Sequence, residues 1–499
     1  MAITTYAAID VGSTELAMKI YEVSKANGIV ELTHLRHKMS LGTDVFANGQ
    51  ISYKTMSEIC RVMKDFKKIM EEYQVTAYHA YGTDALREAS NQLILLDQIK
   101  LQSDIKVRIL SNSEEHFLYY KAVMQNERNL GTLLDEGALI VDMGGGSVQL
   151  SLFTEGTLEF TQNLKLGPSR IQELLHTLEP EIFSYRDLIS EYLDKDLNEF
   201  SQMYLQGKKI RHIIATGIMI PELVYHVANT QKNLTWPISR KEFNRLDFPL
   251  GMSSTQNEIT LSTTLLLRKI ASLVKANDIY LSSIGLCDSM VVEYAEKKVK
   301  LLTGHDFTQD IIATAQNIAL RYHVDMNHAE NVTYLATEIF DSIRKLHGLG
   351  KRERLLLQIG AILHSCGAYV NMAGSRENSY KIIMSTEIIG ISHKERVIVA
   401  NIIRYDSGYF PPYSEIEDEI SRDEYITIVK LCAILKLANV LDKSNTQKIK
   451  RVSVTLEDSS LRIVAHTMAD ITLEKGLFHN KADIFEEAFG IRPVLKKKK

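Results

Sequence analysis

Cysteine is scarce. Four thiols in 499 residues, Cys60, Cys287, Cys366 and Cys432, stand far apart with no C-x-x-C spacing, which argues against a disulfide framework or a Cys-type zinc site and for a reducing compartment. Proline is rare too, eight in all, and no Pro- or Ser-rich stretch marks a free linker, so the domains are expected to pack together. No window is apolar for the about 18 residues that a spanning helix needs, and MAITTYAAID lacks the basic-then-apolar pattern of a signal peptide. A cytoplasmic protein with no membrane contact is the expectation. Charge of one sign is missing as well: 58 Lys and Arg stand against 62 Asp and Glu, a net charge of −4. That removes the global electrostatic footprint expected of a protein that binds a nucleic-acid polymer. The basic run Lys496 to Lys499 reads as a solvated end.

What is present is an ordinary globular composition, 45% hydrophobic and 24% charged, in a chain long enough for two to four domains. Near the start, AAID, GST and LAMKIYEV read as strand, turn and strand. The pattern recurs from Ala138 as ALIVD, MGGGS and VQLSLF, where Val148, Leu150 and Leu152 alternate with Gln149, Ser151 and Phe153, the period of a half-buried strand. Between the copies the pattern predicts helices over 54–73, 84–99 and 113–124 and strands over 75–81 and 106–110, an α/β alternation. GTLLDEG reads as a turn-rich crossover, followed by helices near 169–178 and 185–205 and the strand IRHIIAT. From about Thr303 apolar residues fall at helical spacing, and only RVSVTLEDSSLRIVAH reads as a hairpin. The division expected is 1–128, 129–302 and a mainly helical 303–499.

Chemistry begins at the two Gly/Ser turns, D-V-G-S-T (Asp10 to Thr14) and D-M-G-G-G-S (Asp142 to Ser147). Glycine lets the backbone bend and approach an anion closely, and successive amides in such turns form an anion-binding concavity. An Asp ending the preceding strand suits Mg²⁺, which takes one or two carboxylates plus substrate phosphates. The bland alternative is a pair of tight hairpin turns; two copies in matching contexts favour two related lobes that grip one ligand.

These loops, with G-T-D-A-L-R-E-A-S-N (Gly82 to Asn91), S-N-S-E-E (Ser111 to Glu115), L-G-P-S-R (Leu166 to Arg170) and S-I-G-L-C-D (Ser283 to Asp288), resemble the exopolyphosphatase/guanosine pentaphosphate phosphatase family. R-Y-H-V-D-M-N-H-A-E-N-V and L-H-G-L-G-K-R-E-R-L-L-L-Q-I-G-A-I-L-H extend the likeness through the last domain. The resemblance implies two actin-like (ribonuclease H-like) lobes followed by a mainly helical HD-like domain. It implies Mg²⁺-dependent hydrolysis of a terminal phosphoanhydride, in inorganic polyphosphate or guanosine pentaphosphate, and a possible homodimer. By matching position Glu115 would be the general base, with Glu114 beside it. Asp10 and Asp142 would hold the metal, and Gly12, Ser13, Thr14, Gly144, Gly145, Gly146 and Ser147 would cradle phosphate. Arg87 would clamp it bidentately, with Arg170 a further contact. For Arg87 a surface ion pair with Asp84 or Glu88 is the alternative, and for the Glu pair a solvated helix start favoured by the macrodipole.

Several positions depart from the family pattern. Gln149 stands where a second active-site carboxylate is expected, Asp84 replaces a Ser, Thr14 and Glu15 replace Asn-Ser, Asn112 replaces a Gly, and Thr216-Gly217-Ile218 replaces Gly-Gly-Thr. Glu15 is a candidate to compensate for Gln149. In the last domain His364-Ser365 stands where active histidine–aspartate phosphohydrolases carry His-Asp, so His328 and His364 read as packed core histidines. Lys351, Arg352 and Arg354 read as a solvated helix face, with a polyanion channel as the alternative. Two functions are therefore expected to compete: a hydrolase, and a catalytically weakened polyphosphate- or alarmone-binding regulator. A carbohydrate kinase or heat-shock-type ATPase fits the helical domain poorly.

Overall fold

A computed structural model describes residues 3–126, 130–176, 185–228, 235–246, 254–299, 305–406, 409–457 and 460–498. Contacts divide the chain into two compact units, Met1–Phe307 and Thr308–Lys499. The expected boundaries at 128/129 and 302/303 lie outside the described residues.

The first unit is built twice on one plan. Strands β1 (Thr4–Val11), β2 (Glu15–Ser24) and β3 (Gly28–Lys38) form an antiparallel meander, and β4 (Ala77–Gly82) and β5 (Val107–Ile109) add in parallel to give the order β3-β2-β1-β4-β5. The second sheet repeats the meander with β6 (Ala138–Met143), β7 (Val148–Thr154) and β8 (Thr157–Leu164). Next to β6 lie β9 (His212–Gly217) and then β11 (Asp278–Ser282), both parallel, with β10 (Thr235–Ser239) antiparallel at the edge. Asp10 pairs across its sheet with Ala17, and Asp142 with Gln149. Each Asp therefore stands near the C-terminal end of a central strand, where ligands of open α/β sheets bind.

Local differences from the expectation have physical reasons. The helix Tyr53–Glu72 is started by Ser52, whose hydroxyl accepts from the Thr55 amide. The single helix expected over 84–99 is two, Asp84–Glu88 and Gln92–Ser103, because the Asn91 side chain makes paired bonds of 2.9 Å with the backbone N–H and C=O of Ile51. GTLLDEG is not a turn: Leu130–Glu136 is helical, with Leu130, Leu133 and Leu134 buried on one face. Strand β7 is buried on both sides rather than half-buried. Its Gln149, Ser151 and Phe153 face is covered by the helix Asn112–Asn126, whose His116 bonds Ser151 and whose Tyr120 lies 5.2 Å from the Phe153 ring. The helix near 169–178 is Pro168–His176; Thr177 and Leu178 lie outside the described residues. The helix Leu286–Val299, expected in the second lobe, packs on the first sheet: Leu286, Cys287, Met290, Val291 and Tyr294 share a core with Tyr6, Ala8 and Tyr21. Asp288 fixes it there, accepting from Lys19 at 2.9 Å and Tyr21 at 2.8 Å.

The second unit is mainly helical, with long helices such as Met326–Ser342, Lys351–Leu363 and Arg422–Leu441. Strands β12 (Val452–Leu456) and β13 (Ser460–Ala465) form the expected hairpin, whose tip, residues 458–459, lies outside the described residues. The basic end is not simply solvated: β14 (Arg492–Lys497) pairs in parallel with β13 and includes Lys496 and Lys497. His328 and His364 are buried core residues. The Nδ1 of His328 lies 2.8 Å from Asp442, that of His364 lies 2.7 Å from the Ala361 carbonyl, and their Nε2 atoms are 3.2 Å apart. Arg352 and Arg354 are ion-paired, with Glu395 and Asp341 respectively. The four cysteines are free and buried. Among the described residues no helix is long and apolar enough to cross a membrane.

Candidate active site

A cleft of about 490 Å³ opens in the first unit, lined from one sheet by Asp10, Gly12, Ser13, Thr14 and Glu15 and from the other by Asp142, Gly144 and Gly145, with Asp84 and Glu115 also in its wall. A small recess of about 10 Å³ shares Asp84, Glu115, Asp142 and Gly144 with it and adds Arg87, Ser147 and Gln149. The two carboxylates that the sequence sets at matching strand ends thus line one cavity.

Loop one is a tight turn in which the Gly12 amide bonds the Glu15 carbonyl at 3.0 Å. The loops meet at Gly145, where an added Cβ would stand 2.0 Å from Ser13 Oγ and 2.9 Å from Ser13 Cβ. Only glycine allows that approach. The segment Leu166 to Arg170 braces loop two from behind. The Ser169 and Arg170 amides donate to the Gly145 carbonyl at 3.0 and 3.1 Å, and a Cβ on Gly167 would lie 2.3 Å from that carbonyl oxygen.

Three expected site residues are corrected. Arg170 lines neither cavity: its Nε donates to the Gly146 carbonyl at 2.9 Å, its guanidinium pairs with Glu88 and lies over the Phe46 ring, so it supports the loop rather than reaching into the cleft. Glu114 is a helix cap. Its carboxylate accepts from the Ser111 amide at 3.0 Å, the Ser111 hydroxyl accepts from its own amide at 3.3 Å, and Arg108 pairs with it at 2.6 Å. Gly146 also lines neither cavity, and its amide donates to Asp84.

Glu115 lies 3.4 Å from Arg87, which in turn donates to the Leu110 carbonyl at 2.5 Å, so Arg87 pairs with neither Asp84 nor Glu88. Burial pushes the Glu115 carboxyl up to about 8 despite Arg87, helped by the charges of Asp84, Asp142 and Asp10. Asp10 is likewise pushed up to about 8, by burial first and then by Glu15 and Asp84. Its Oδ1 is buried without a hydrogen-bond partner. A bare, crowded carboxylate oxygen is what a hydrated divalent cation relieves, and Asp10 with Asp142 fits one. Among the described residues no three His, Cys, Asp or Glu side chains form a ready cage.

Gln149 is buried with its Nε2 unpartnered, and Ser147 Oγ accepts from Asn163 at 3.1 Å. Glu15 is held by Arg36 at 2.8 Å and lines only the larger cleft, so it does not take the place of Gln149. Sequence reasoning missed His116, buried between Asp142 at 3.2 Å and Ser151 at 2.8 Å, which fixes the Asp142 carboxylate from below. Its place directly after the Glu pair was the available signal. Arg36 and Lys38 on β3 were missed because that edge strand alternates charge with little apolar pattern.

Comparison with known proteins agrees with this architecture. The sequence model described as the Ppx/GppA phosphatase family matches residues 20–297, and that for Ppx/GppA phosphatase, domain III, matches residues 312–482. A bifunctional 3-dehydroquinate synthase/phosphatase of Fusobacterium nucleatum is 22% identical over 58% of this chain and 47% of its own length, so less than half of that relative is spanned. Guanosine-5'-triphosphate,3'-diphosphate pyrophosphatases of Photobacterium profundum and Aliivibrio fischeri are 21% and 22% identical, over 80% and 86% of both chains. The crystal structure of an exopolyphosphatase from Cytophaga hutchinsonii superposes with a TM-score of 0.50 at 21% identity, covering 59% of this chain and 98% of that one. These likenesses carry the fold, two actin-like lobes with a mainly helical C-terminal region. With more than half its length matched by the family model, the chain belongs to the Ppx/GppA phosphatase family.

Proposed function

We propose that the chain hydrolyses a terminal phosphoanhydride bond, in inorganic polyphosphate or guanosine pentaphosphate, in a Mg²⁺-dependent reaction with Glu115 as general base. The observation that carries this reading is the convergence of Glu115, Asp10, Asp142 and both glycine turns on one cleft, with Arg87 beside Glu115. Relatives named as guanosine-5'-triphosphate,3'-diphosphate pyrophosphatases support the substrate class.

Water attacks the terminal phosphorus, its proton passes to Glu115, and the P–O bond to the leaving phosphate breaks. Glu115 is held ready by Arg87, and its raised proton affinity makes the ionised form a stronger base than an ordinary carboxylate. Arg87 offers guanidinium donors to the charge that spreads over the phosphoryl oxygens. Asp10 and Asp142 would hold the cation, which when bound neutralises phosphate oxygens. The unpartnered Gln149 Nε2 is a donor for a substrate oxygen.

Purified protein with Mg²⁺, scored for phosphate release from long-chain polyphosphate and from guanosine pentaphosphate, tests the reading; saturable binding of either without release would favour a regulator. Gln149, which cannot serve as a carboxylate, is the observation behind that second reading.

A further inference from the structure

In the loop of lobe two an acid of this chain stands where an anionic ligand is expected. The Asp84 carboxylate is buried, 4% exposed, with Oδ2 taking the Gly146 amide and Oδ1 taking the Ala85 amide at 2.8 Å. It lies inside the curve of the glycine turn, for a Cβ on either Gly144 or Gly146 would be 3.2 Å from Asp84 Oδ2. Backbone amides that converge on a carboxylate make the same bonds they would make to a phosphoryl oxygen. Asp84 comes from the first lobe's chain segment after β4 and Gly146 from the second, so the bond also clasps the two sides of the cleft.

The surrounding charge sharpens the consequence. Seven carboxylates line the larger cleft among the described residues, against two cations, Arg36 and Lys38. Arg36 is already committed, to Glu15 at 2.8 Å and to Glu222 at 3.1 Å. A free polyanion meets a net negative wall there, whereas a phosphate that carries its own divalent cation does not.

We propose that Asp84 is a specificity-determining residue, a resident anion of the glycine cradle that keeps metal-free phosphate out and admits a phosphoanhydride end only as its divalent-cation complex. The assignment rests on the reading of the cleft as a phosphoanhydride site. The isosteric Asp84→Asn keeps an oxygen for the Gly146 amide and removes the charge; Asp84→Ser removes both charge and bulk.

The test is calorimetric titration of wild-type, D84N and D84S protein with inorganic tripolyphosphate, each with MgCl₂ and with a chelator, after thermal melts confirm folding. Wild-type protein is expected to bind tripolyphosphate with Mg²⁺ at least tenfold more tightly than without. Both variants are expected to bind the metal-free anion at least tenfold more tightly than wild type does. Equal wild-type affinity with and without Mg²⁺ overturns the assignment, and this arm needs no variant. Folded variants that gain no metal-free affinity overturn it as well. Phosphate release is scored on the same samples: affinity gained in the variants with no release by wild type sinks the hydrolytic reading alone, and release without the gain sinks only the role of Asp84.

Discussion

Neutralising Glu115 should abolish hydrolysis and stabilise the metal-free protein at the same time. Unfolded, the carboxyl ionises near 4.5; folded, it holds its proton up to about 8. Between those values the folded state binds more protons than the unfolded one, so stability falls as pH rises from 4.5 to 8 and changes little outside that window. At pH 7 the gap from 4.5 corresponds to at most about 3.4 kcal/mol. The side chain is 14% exposed to the cleft, and water there screens part of the penalty, leaving about 1–2 kcal/mol to be recovered by Glu115→Gln. For a unit of this size that is a rise of about 2–4 °C in Tm. Phosphate release should meanwhile fall by about 10²–10⁴-fold, the range for a positioned base. Melting curves of both proteins in chelator at pH 5, 7 and 9, beside a phosphate-release assay with Mg²⁺, read both effects. The gain should be small at pH 5 and approach its limit at pH 9. A Glu115→Gln protein that melts below wild type at every pH, or that retains release within threefold, refutes the reasoning.

Glu114→Ala should behave oppositely: losing the cap and the Arg108 pair costs about 1 kcal/mol, a Tm drop of about 2 °C, with release kept within threefold. Gly145→Ala puts a methyl group against Ser13 Oγ, so KM should rise at least tenfold, with partial recovery when Ser13→Gly is added. Gln149→Glu alone places another acid beside Asp84, Glu115 and Asp142 and should lower the metal-free Tm without raising release. Combined with Asp84→Ser it should release phosphate faster than either single variant, as assayed with Mg²⁺.

The duplicated plan was legible because each copy prints the same signature: a short apolar strand ending in Asp, a glycine turn, and a second strand. Asp10 and Asp142 could be placed from that alone, and β6 is buried along its whole length as its run of apolar residues predicts. Roles that depend on which way a side chain turns were not legible. Glu114 and Glu115 are neighbours on one helix, about 100° apart around its axis, and nothing local says which of them meets the cleft. Arg170 follows a glycine, a proline and a serine, and only its distance to the Gly146 carbonyl reveals a brace of the second glycine turn. Strand β3 escaped notice because its exposed residues, Glu31, Leu32, His34 and Arg36 among them, mix charge and apolarity without a clean period of two. Helix Leu286–Val299 carries no mark of which sheet it will cover; Asp288 decides that by reaching Lys19 and Tyr21, 269 and 267 residues away in sequence.

Two of the departures from the family pattern, at positions 84 and 149, gain a common explanation once the recess is considered as a charge balance. Gln149, opposite Asp142 in the sheet, stands where a carboxylate is expected, and Asp84 stands where a hydroxyl is expected; both line the same recess with Glu115 and Asp142. One acid is absent and one is present, so the recess keeps its number of acids while their positions change. Coulomb energy between close buried carboxylates is several kcal/mol at an effective dielectric near 20 (about 4 kcal/mol at 4 Å), too large for a fourth acid to be added freely beside Asp84, Glu115 and Asp142. Arg87 is the one basic group that lines the recess among the described residues, which fixes how much negative charge it tolerates. An acid at position 84 therefore makes an amide at position 149 the electrostatically compatible partner, and the two departures act as one change: the negative charge moves from beside Asp142 to the curve of the glycine turn.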